Sequence, residues 1–123
     1  MDAPSPPLLF GLSTVEACEP EPLARELEAF VAAGCTAAEI SLQHSFTVRG
    51  GKVNTAEVTA IGQVLARFPL RYTTHGPLAL NLMDADHHEL HVGVAQASIE
   101  VAAALGSSVL VVHGGVWPNT KSF

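Results

Sequence analysis

The sequence predicts an α/β protein built on a parallel β-sheet. Short apolar runs alternate with segments whose apolar residues recur at helical spacing, in the order βαβαβαβ. A strand that returns parallel to the one before it needs a crossover, and the intervening helix supplies it. Two architectures fit this alternation: an open doubly wound sheet, or part of a (β/α)₈ barrel.

The first strand and the first helix precede Gly34. Leu8–Leu12 is a short apolar run that predicts a strand. The helix is expected to begin near Pro20, because proline is tolerated in a first turn and the neighbouring acids suit the helix dipole. Its apolar residues share one face: Leu23, Leu27, Phe30 and Val31. Gly34 is suited to end the helix because glycine readily adopts positive φ.

The middle of the chain predicts a second strand, a second helix and a third strand. Ala37–Leu42 forms the second strand and Leu70–His75 the third. Asn54 or Thr55 can cap the helix between them, with Glu57 placed for a capping box if Asn54 is the cap. The apolar face of this helix comprises Val58, Ile61, Val64, Leu65 and Phe68.

A longer helix and a fourth strand complete the pattern. The helix is expected to begin at Asp84 or Asp86 and to end at Gly106, before a strand over Ser108–His113. Its apolar face comprises Leu90, Val94, Ala97, Val101 and Leu105. We expect residues 1–7 to form an extended lead and residues 8–123 to form one domain.

Composition and charge narrow the function classes. The formal net charge of −6 argues against a nucleic-acid surface, which normally needs a basic face, and against an anionic membrane. The sequence shows neither a signal peptide nor an apolar stretch long enough to span a bilayer, so we expect a cytoplasmic protein. Cys18 and Cys35 lack metal or redox spacing and are expected to be reduced.

Two histidines end consecutive predicted strands. His75 precedes Gly76-Pro77, and His113 precedes Gly114-Gly115. Neighbouring parallel strands lie about 4.8 Å apart, so imidazoles at the two tips could meet at one metal ion or substrate. The alternative is a pair of hydrogen-bonded histidines that cap the strand ends.

Other polar residues near these strand ends have two interpretations each. Glu39 lines a polar cavity or pairs with Arg71, because a strand carboxylate needs such an environment. His44 lies at the rim of the pocket or in a solvated loop, and Trp117 contacts a ligand or packs in the tail. Asn81 is expected to turn its loop rather than bind substrate.

The helix that follows the third strand begins with several histidines. His87 and His91 are four residues apart, but the segment is not an HExxH motif. We interpret it as a polar first turn, with His87 on the side of Leu90 and with His88 and His91 facing solvent.

Three segments carry a resemblance to a known group. They are Gly34-Cys-Thr-Ala-Ala-Glu39-Ile40, His75-Gly-Pro-Leu-Ala-Leu-Asn81-Leu82, and Leu105-Gly106 followed by Val111-Val112-His113-Gly-Gly. Together they resemble the xylose-isomerase-like barrel superfamily, which holds the sugar (phosphate) isomerases and epimerases and the endonuclease IV-type apurinic enzymes. The resemblance favours the barrel and implies that the chain spans four of its eight strands.

The resemblance also implies a function. The expected activity is metal-dependent isomerisation or epimerisation of a small sugar or sugar phosphate, with Mn, Zn or Mg as the divalent ion. His75 and His113 would face the metal or the substrate, and Glu39, His44 and Trp117 would line the substrate pocket. One alternative is a zinc hydrolase resembling the apurinic endonucleases, and another is a non-catalytic half-barrel that self-associates through open sheet edges. Because most of the expected site lies on later strands, the 123-residue chain alone is expected to be inactive.

Overall fold

The structure is a computed structural model that describes residues 5, 7–15 and 19–117. Most of the predicted lead, residues 1–4 and 6, lies outside the described residues, as does Cys18. Within the described ranges, no helix is both long enough and apolar enough to cross a membrane.

The described elements follow the predicted alternation, with one added hairpin. In chain order they are β1 (Gly11–Ser13), α1 (Pro20–Ala32), β2 (Ala37–Ser41), β3 (Val48–Arg49), β4 (Lys52–Val53), α2 (Thr55–Leu65), β5 (Arg71–His75), α3 (His88–Ala104) and β6 (Leu110–Val111). The predicted first and fourth strands lay over the right regions, but β1 begins later and β6 is much shorter than predicted.

The strand order decides between the two predicted architectures. The main sheet runs β1-β2-β5-β6, and every neighbouring pair is parallel. Each successive strand of this sheet is therefore added at the same edge, as it is in a barrel. A doubly wound sheet instead reverses its order at a switch point, beside which ligands bind. This sheet has no such reversal among its four described strands, so the doubly wound alternative is not adopted.

One face of the sheet, called here the outer face, is covered by the helices. Ala38 and Ile40 of β2 point to this face, and Ile40 is completely buried. They join Leu23 and Leu27 of α1 and Ile61 of α2 in one apolar cluster. Cys35, a free thiol, is buried in the same cluster, which agrees with a packing role.

A tight β3–β4 hairpin was not predicted from the sequence. Gly50 and Gly51 both have positive φ and join the two short strands. The hairpin packs on the beginning of α3, where the Gly51 and Gly93 backbones come close together. The buried residues of α3 begin at Ala97, and Leu90, predicted on the same apolar face, is 49% exposed, although it borders a pocket with Val48 of the hairpin.

The capping box predicted for α2 does not form. Asn54 is the N-cap, as expected, but its side chain makes no capping hydrogen bond. Its backbone N–H instead donates to the carbonyl oxygen of Thr47 at 2.7 Å. The start of α2 is thus fixed by the backbone hydrogen bond between Asn54 and Thr47, which precedes the hairpin, and not by a side-chain cap.

Candidate active site

Polar side chains line the opposite face of the sheet, called here the inner face. Ser13, Glu39 and Thr73 lie side by side on β1, β2 and β5, and Ser41 lies beside His75 one step further along. All five side chains are exposed or half-buried, whereas Ala38, Ile40 and Thr74, which alternate with them, are buried. The inner face is therefore accessible to a ligand.

The structure brings His75 and His113 together at the carboxyl end of the sheet. Their Nε2 atoms are 3.3 Å apart, and their ring centroids are 5.1 Å apart with the planes at 71°. His75 is the last residue of β5, and His113 lies two residues beyond the end of β6. These two side chains form what is called here the histidine pair.

The hydrogen bonds of the histidine pair determine where the protons lie. The Nδ1 atom of His75 is 2.9 Å from the carbonyl oxygen of Gly76. A carbonyl can only accept, so Nδ1 donates and the Nε2 atom of neutral His75 keeps its lone pair. His113 then donates from its own Nε2 to His75, and it would have to carry its proton on Nδ1 instead to bind a metal ion through Nε2. A backbone carbonyl that holds the far nitrogen of a ring is a common arrangement for metal-binding histidines.

The spacing of the histidine pair fits two ligands of one metal ion. At Zn–N distances of ~2.0–2.1 Å and a tetrahedral angle, two nitrogen ligands lie about 3.3 Å apart. The measured Nε2–Nε2 separation is 3.3 Å. Among the described residues, no third histidine, cysteine or carboxylate joins them in a group that could hold a metal. The pair can therefore supply at most part of a ligand set.

Glu39 takes the polar-cavity arrangement in the structure. Its Oε1 atom accepts a hydrogen bond of 2.9 Å from the Ser13 hydroxyl, and within the described ranges it forms no ion pair with Arg71. Glu39 and His75 line a cleft of about 300 Å³ at the carboxyl end of β1 and β2. The other lining residues are Ser13, Thr14, Val15, Ser41, Gln43, His44 and Leu78.

His44 and Trp117 occupy different positions relative to this cleft. His44 is exposed and borders it, as either of its two interpretations would allow. Trp117 is 60% exposed and follows the loop after His113, at the end of the described residues. Substrate contact by Glu39, His44 and Trp117 stays a prediction.

A second polar cluster joins the loop after β5 to the beginning of α3. The Oδ2 atom of Asp84 is 3.1 Å from Nδ1 of His87 and 3.5 Å from Nε2 of His91. Hydrogen bonding to His87 is the main cause that lowers the pKa of Asp84 below its ordinary value. His91 is the more buried of the two histidines, so the prediction that it faces solvent was wrong.

The sequence prediction overlooked four polar residues of the cleft. Its lining includes Ser13, Thr14, Ser41 and Gln43, and the Gln43 side-chain oxygen accepts a 2.6 Å hydrogen bond from the Leu78 backbone N–H. The pattern that could have revealed two of them is the polar alternation Glu39-x-Ser41-x-Gln43, which places three polar side chains on one face of a strand.

Comparison with solved structures finds a similar protein, endonuclease IV from Thermus thermophilus. The two superpose with a TM-score of 0.64 and 26% sequence identity, over 88% of this chain and 40% of the endonuclease. The chain has the fold of a xylose-isomerase-like half-barrel. No protein-family profile and no curated protein matches its sequence.

The comparison agrees with the strand order described above. A half-barrel that spans 40% of the endonuclease accounts for four parallel strands in sequential order, with helices on one face only. It also accounts for an inner face that is polar and accessible, because in a complete barrel that face lines the interior. The resemblance noted in the sequence is thus confirmed at the level of the fold.

Proposed function

We propose that this half-barrel contributes part of the active site of a metal-dependent isomerase or epimerase that acts on a small sugar or sugar phosphate. The observation that carries the proposal is the histidine pair, whose Nε2 atoms lie 3.3 Å apart on the inner face at the carboxyl ends of β5 and β6. Active sites of barrel enzymes lie at this end of the strands.

Each part of the site has a role in this proposal. His75 and His113 would hold the divalent ion, which when bound would polarise a carbonyl or hydroxyl oxygen of the substrate. The Gly76 carbonyl, which accepts from Nδ1 of His75, would leave the Nε2 lone pair of this ring available to the ion. Glu39, oriented by Ser13, would accept hydrogen bonds from substrate hydroxyl groups in the adjoining cleft.

The lining of the cleft supports a hydroxylated substrate over a nucleic acid. Its polar members are hydroxyl, carboxamide, imidazole and carboxylate groups, and none of the residues that line it is lysine or arginine. A phosphate backbone is normally bound by cationic side chains. Hydroxyl groups of a sugar, by contrast, can both donate to Glu39 and accept from the serines.

A zinc-dependent phosphodiester hydrolase is the second candidate. Its support is the structural likeness to endonuclease IV from Thermus thermophilus at 26% identity. This candidate uses the same histidine pair as zinc ligands and requires that basic groups for the phosphates come from outside the described cleft.

Metal titration tests the shared part of both candidates. Isothermal titration calorimetry of the chain with Zn²⁺, Mn²⁺ and Mg²⁺ should show binding of one ion per histidine pair for at least one metal. His75→Ala and His113→Ala should each abolish it, because each removes one of the two nitrogen ligands. His88→Ala, a matched change at an exposed position of α3, should leave binding unchanged. Absence of binding for all three metals, or binding that persists in both site variants, contradicts the proposal.

A substrate comparison then separates the two candidates. Saturation-transfer NMR on the metal-loaded chain should detect small aldoses, ketoses or their phosphates, and Glu39→Gln should weaken that signal. The same experiment with a short duplex that contains an abasic site should give no transfer. Binding of the duplex in preference to every sugar would favour the hydrolase.

A further inference from the structure

We infer that Asn81 is a positioning residue that holds His113 at its distance from His75. The inference rests on the proposed role of the histidine pair, and concerns a residue that the sequence suggested only as a loop turn. The contact that carries it joins Asn81 to the segment immediately after His113.

His113 lies beyond the regular hydrogen bonds of the sheet. The β5–β6 ladder consists of Thr74 paired with Leu110 and His75 paired with Val111. The last backbone hydrogen bond of this kind runs from the Gly76 N–H to the Val111 carbonyl at 2.8 Å. An additional anchor after His113 would therefore limit how far its ring moves.

Asn81 supplies that anchor through both ends of its side-chain amide. Its Nδ2 donates to the Val116 carbonyl at 3.0 Å, and its Oδ1 accepts from the Val116 N–H at 2.9 Å. The two bonds resemble those of a paired strand residue and require one donor and one acceptor on the same side chain. These two bonds are called here the Asn81 clamp.

The clamp brings the loop that contains Asn81 so close to the loop after His113 that only glycine fits at position 115. Gly115 has a φ of +106°, and a Cβ atom at this position would collide with the Oδ1 atom of Asn81. The backbone of the loop after His113 thus lies directly against the Asn81 amide.

Asn81 is itself held in place by the loop after β5 and by α3. Its backbone N–H donates to Nδ1 of His91 at 3.1 Å, and its Oδ1 also accepts from the Met83 N–H at 3.1 Å. Asp84 contacts His91 on the opposite ring nitrogen. The clamp therefore connects His113 to a fixed point on α3.

His113 consequently lies between two anchors, the sheet at Val111 and the clamp at Val116. Loss of the second anchor would keep both imidazoles in the chain, but the distance between the two rings would vary over a wider range. Since two ligands must lie about 3.3 Å apart to share a tetrahedral ion, metal affinity should fall without the loss of a ligand.

The test compares Asn81→Asp and Asn81→Ala with the wild-type chain. The aspartate keeps the acceptor for the Val116 N–H but sets a carboxylate oxygen against the Val116 carbonyl, whereas alanine removes both bonds. Asn54→Asp is the matched control, because Asn54 makes no capping hydrogen bond with its side chain. Circular dichroism establishes that each variant is folded.

The first readout needs no metal. In the wild type, NMR should show a nuclear Overhauser effect between the His75 and His113 rings and a protected Val116 amide. In both Asn81 variants the Overhauser intensity should fall at least twofold and the Val116 amide should exchange at least tenfold faster. The Thr74 amide, which donates to Val109 within the sheet, serves as the internal reference and should be unchanged.

The second readout is Zn²⁺ affinity by calorimetry. Both Asn81 variants should bind at least tenfold more weakly with unchanged stoichiometry, and Asn54→Asp should bind like the wild type. Ring contact and affinity that stay within twofold of the wild type in both variants would overturn the inference. If the wild-type chain binds no zinc, the proposed function fails by itself, and the metal-free readout still decides the role of Asn81.

Discussion

The outer face of the sheet carries buried apolar side chains, whereas the inner face of the same strands carries accessible polar side chains. On β2, Ile40 is fully buried beneath α1 and α2, while Glu39 and Ser41 on either side of it reach the accessible inner face. On β5 the buried residue is Thr74, and its neighbours Thr73 and His75 point inward. A single step along a strand therefore separates the apolar core from the candidate site.

Stability and chemistry thus reside on different sides of the half-barrel. Burial of apolar surface is the main driving force of folding, and in this chain the completely buried large apolar side chains lie on the helix-covered side. The inner face contributes little burial, so it can carry carboxylate, hydroxyl and imidazole groups. Substitutions on the two faces should consequently have very different effects.

The largest effect is expected from neighbouring residues of β2. Ile40→Ala should lower the free energy of unfolding by about 2–5 kcal/mol, because it leaves a cavity in a closed core. Ser41→Ala, one residue away on the inner face, should change it by less than about 1 kcal/mol. Urea denaturation followed by circular dichroism measures both. Equal losses would show that the inner face is as closely packed as the outer one.

The second largest effect is expected on self-association through the two edge strands of the sheet, β1 and β6. β1 and β6 each have one side that pairs with no other described strand, and Leu12 and Val111 are 48% and 40% exposed there. We expect copies of the chain to associate through these edges, because unpaired strands readily add another strand. Leu12→Lys and Val111→Lys should each weaken the dimer at least tenfold in light-scattering measurements.

The control for this second effect lies on a helix. Val31→Lys introduces the same charge at an exposed position of α1, away from both edge strands, and should leave association unchanged. A wild-type chain that stays monomeric at high concentration, with a cooperative thermal transition, contradicts the expectation.

A smaller effect is expected at the polar anchor of the outer face. The Tyr72 hydroxyl donates to the Leu65 carbonyl at 2.8 Å, and burial raises the pKa of Tyr72 to about 12. Tyr72→Phe should lower stability by about 1 kcal/mol, because the hydrogen bond is lost and the packing is kept. The stabilisation should be complete below pH ~10 and should be lost as the pH rises towards 12, since the unfolded state releases the proton first.

Tyr72 is the one tyrosine of the chain, so its ionisation can be followed directly by absorbance. The folded protein should titrate with a midpoint near 12, as its raised pKa predicts, and the urea-unfolded protein at about pH 10. A common midpoint in the two states would show that the hydroxyl is not buried.

The smallest effect is expected in the polar cluster of Asp84, His87 and His91. Hydrogen bonds from His87 and nearby backbone N–H groups keep the pKa of Asp84 below its ordinary value of 3.8. Because the folded pKa is depressed, this contribution to stability is present above pH 3.8 and is lost as the pH falls through the lowered value. Asp84→Asn should therefore flatten the acid side of the melting-temperature profile, whereas Asp86→Asn in the same loop should not.

Local patterns along the chain were enough to predict the main elements and the first of the two site histidines. The periodicity of Leu23, Leu27 and Phe30 predicted α1, and the apolar run before His75 predicted β5 within one residue of its observed start. These predictions succeed because helical and strand periodicity depend on neighbours along the chain. The same kind of pattern located His75 at a strand end, whereas His113, predicted as the last residue of a strand, lies two residues beyond the end of β6.

The strand order, the contacts of the candidate site and the packing of α3 emerged only once the chain was folded. The sequential order of the sheet, the 3.3 Å separation of the histidine pair and the Asn81 clamp all join segments that are far apart along the chain. The packing of the β3–β4 hairpin against α3 likewise brings Gly51 close to Gly93, and no periodicity within α3 contains that information. Contacts between distant segments depend on how the elements pack in three dimensions, and a pattern confined to one segment cannot specify them.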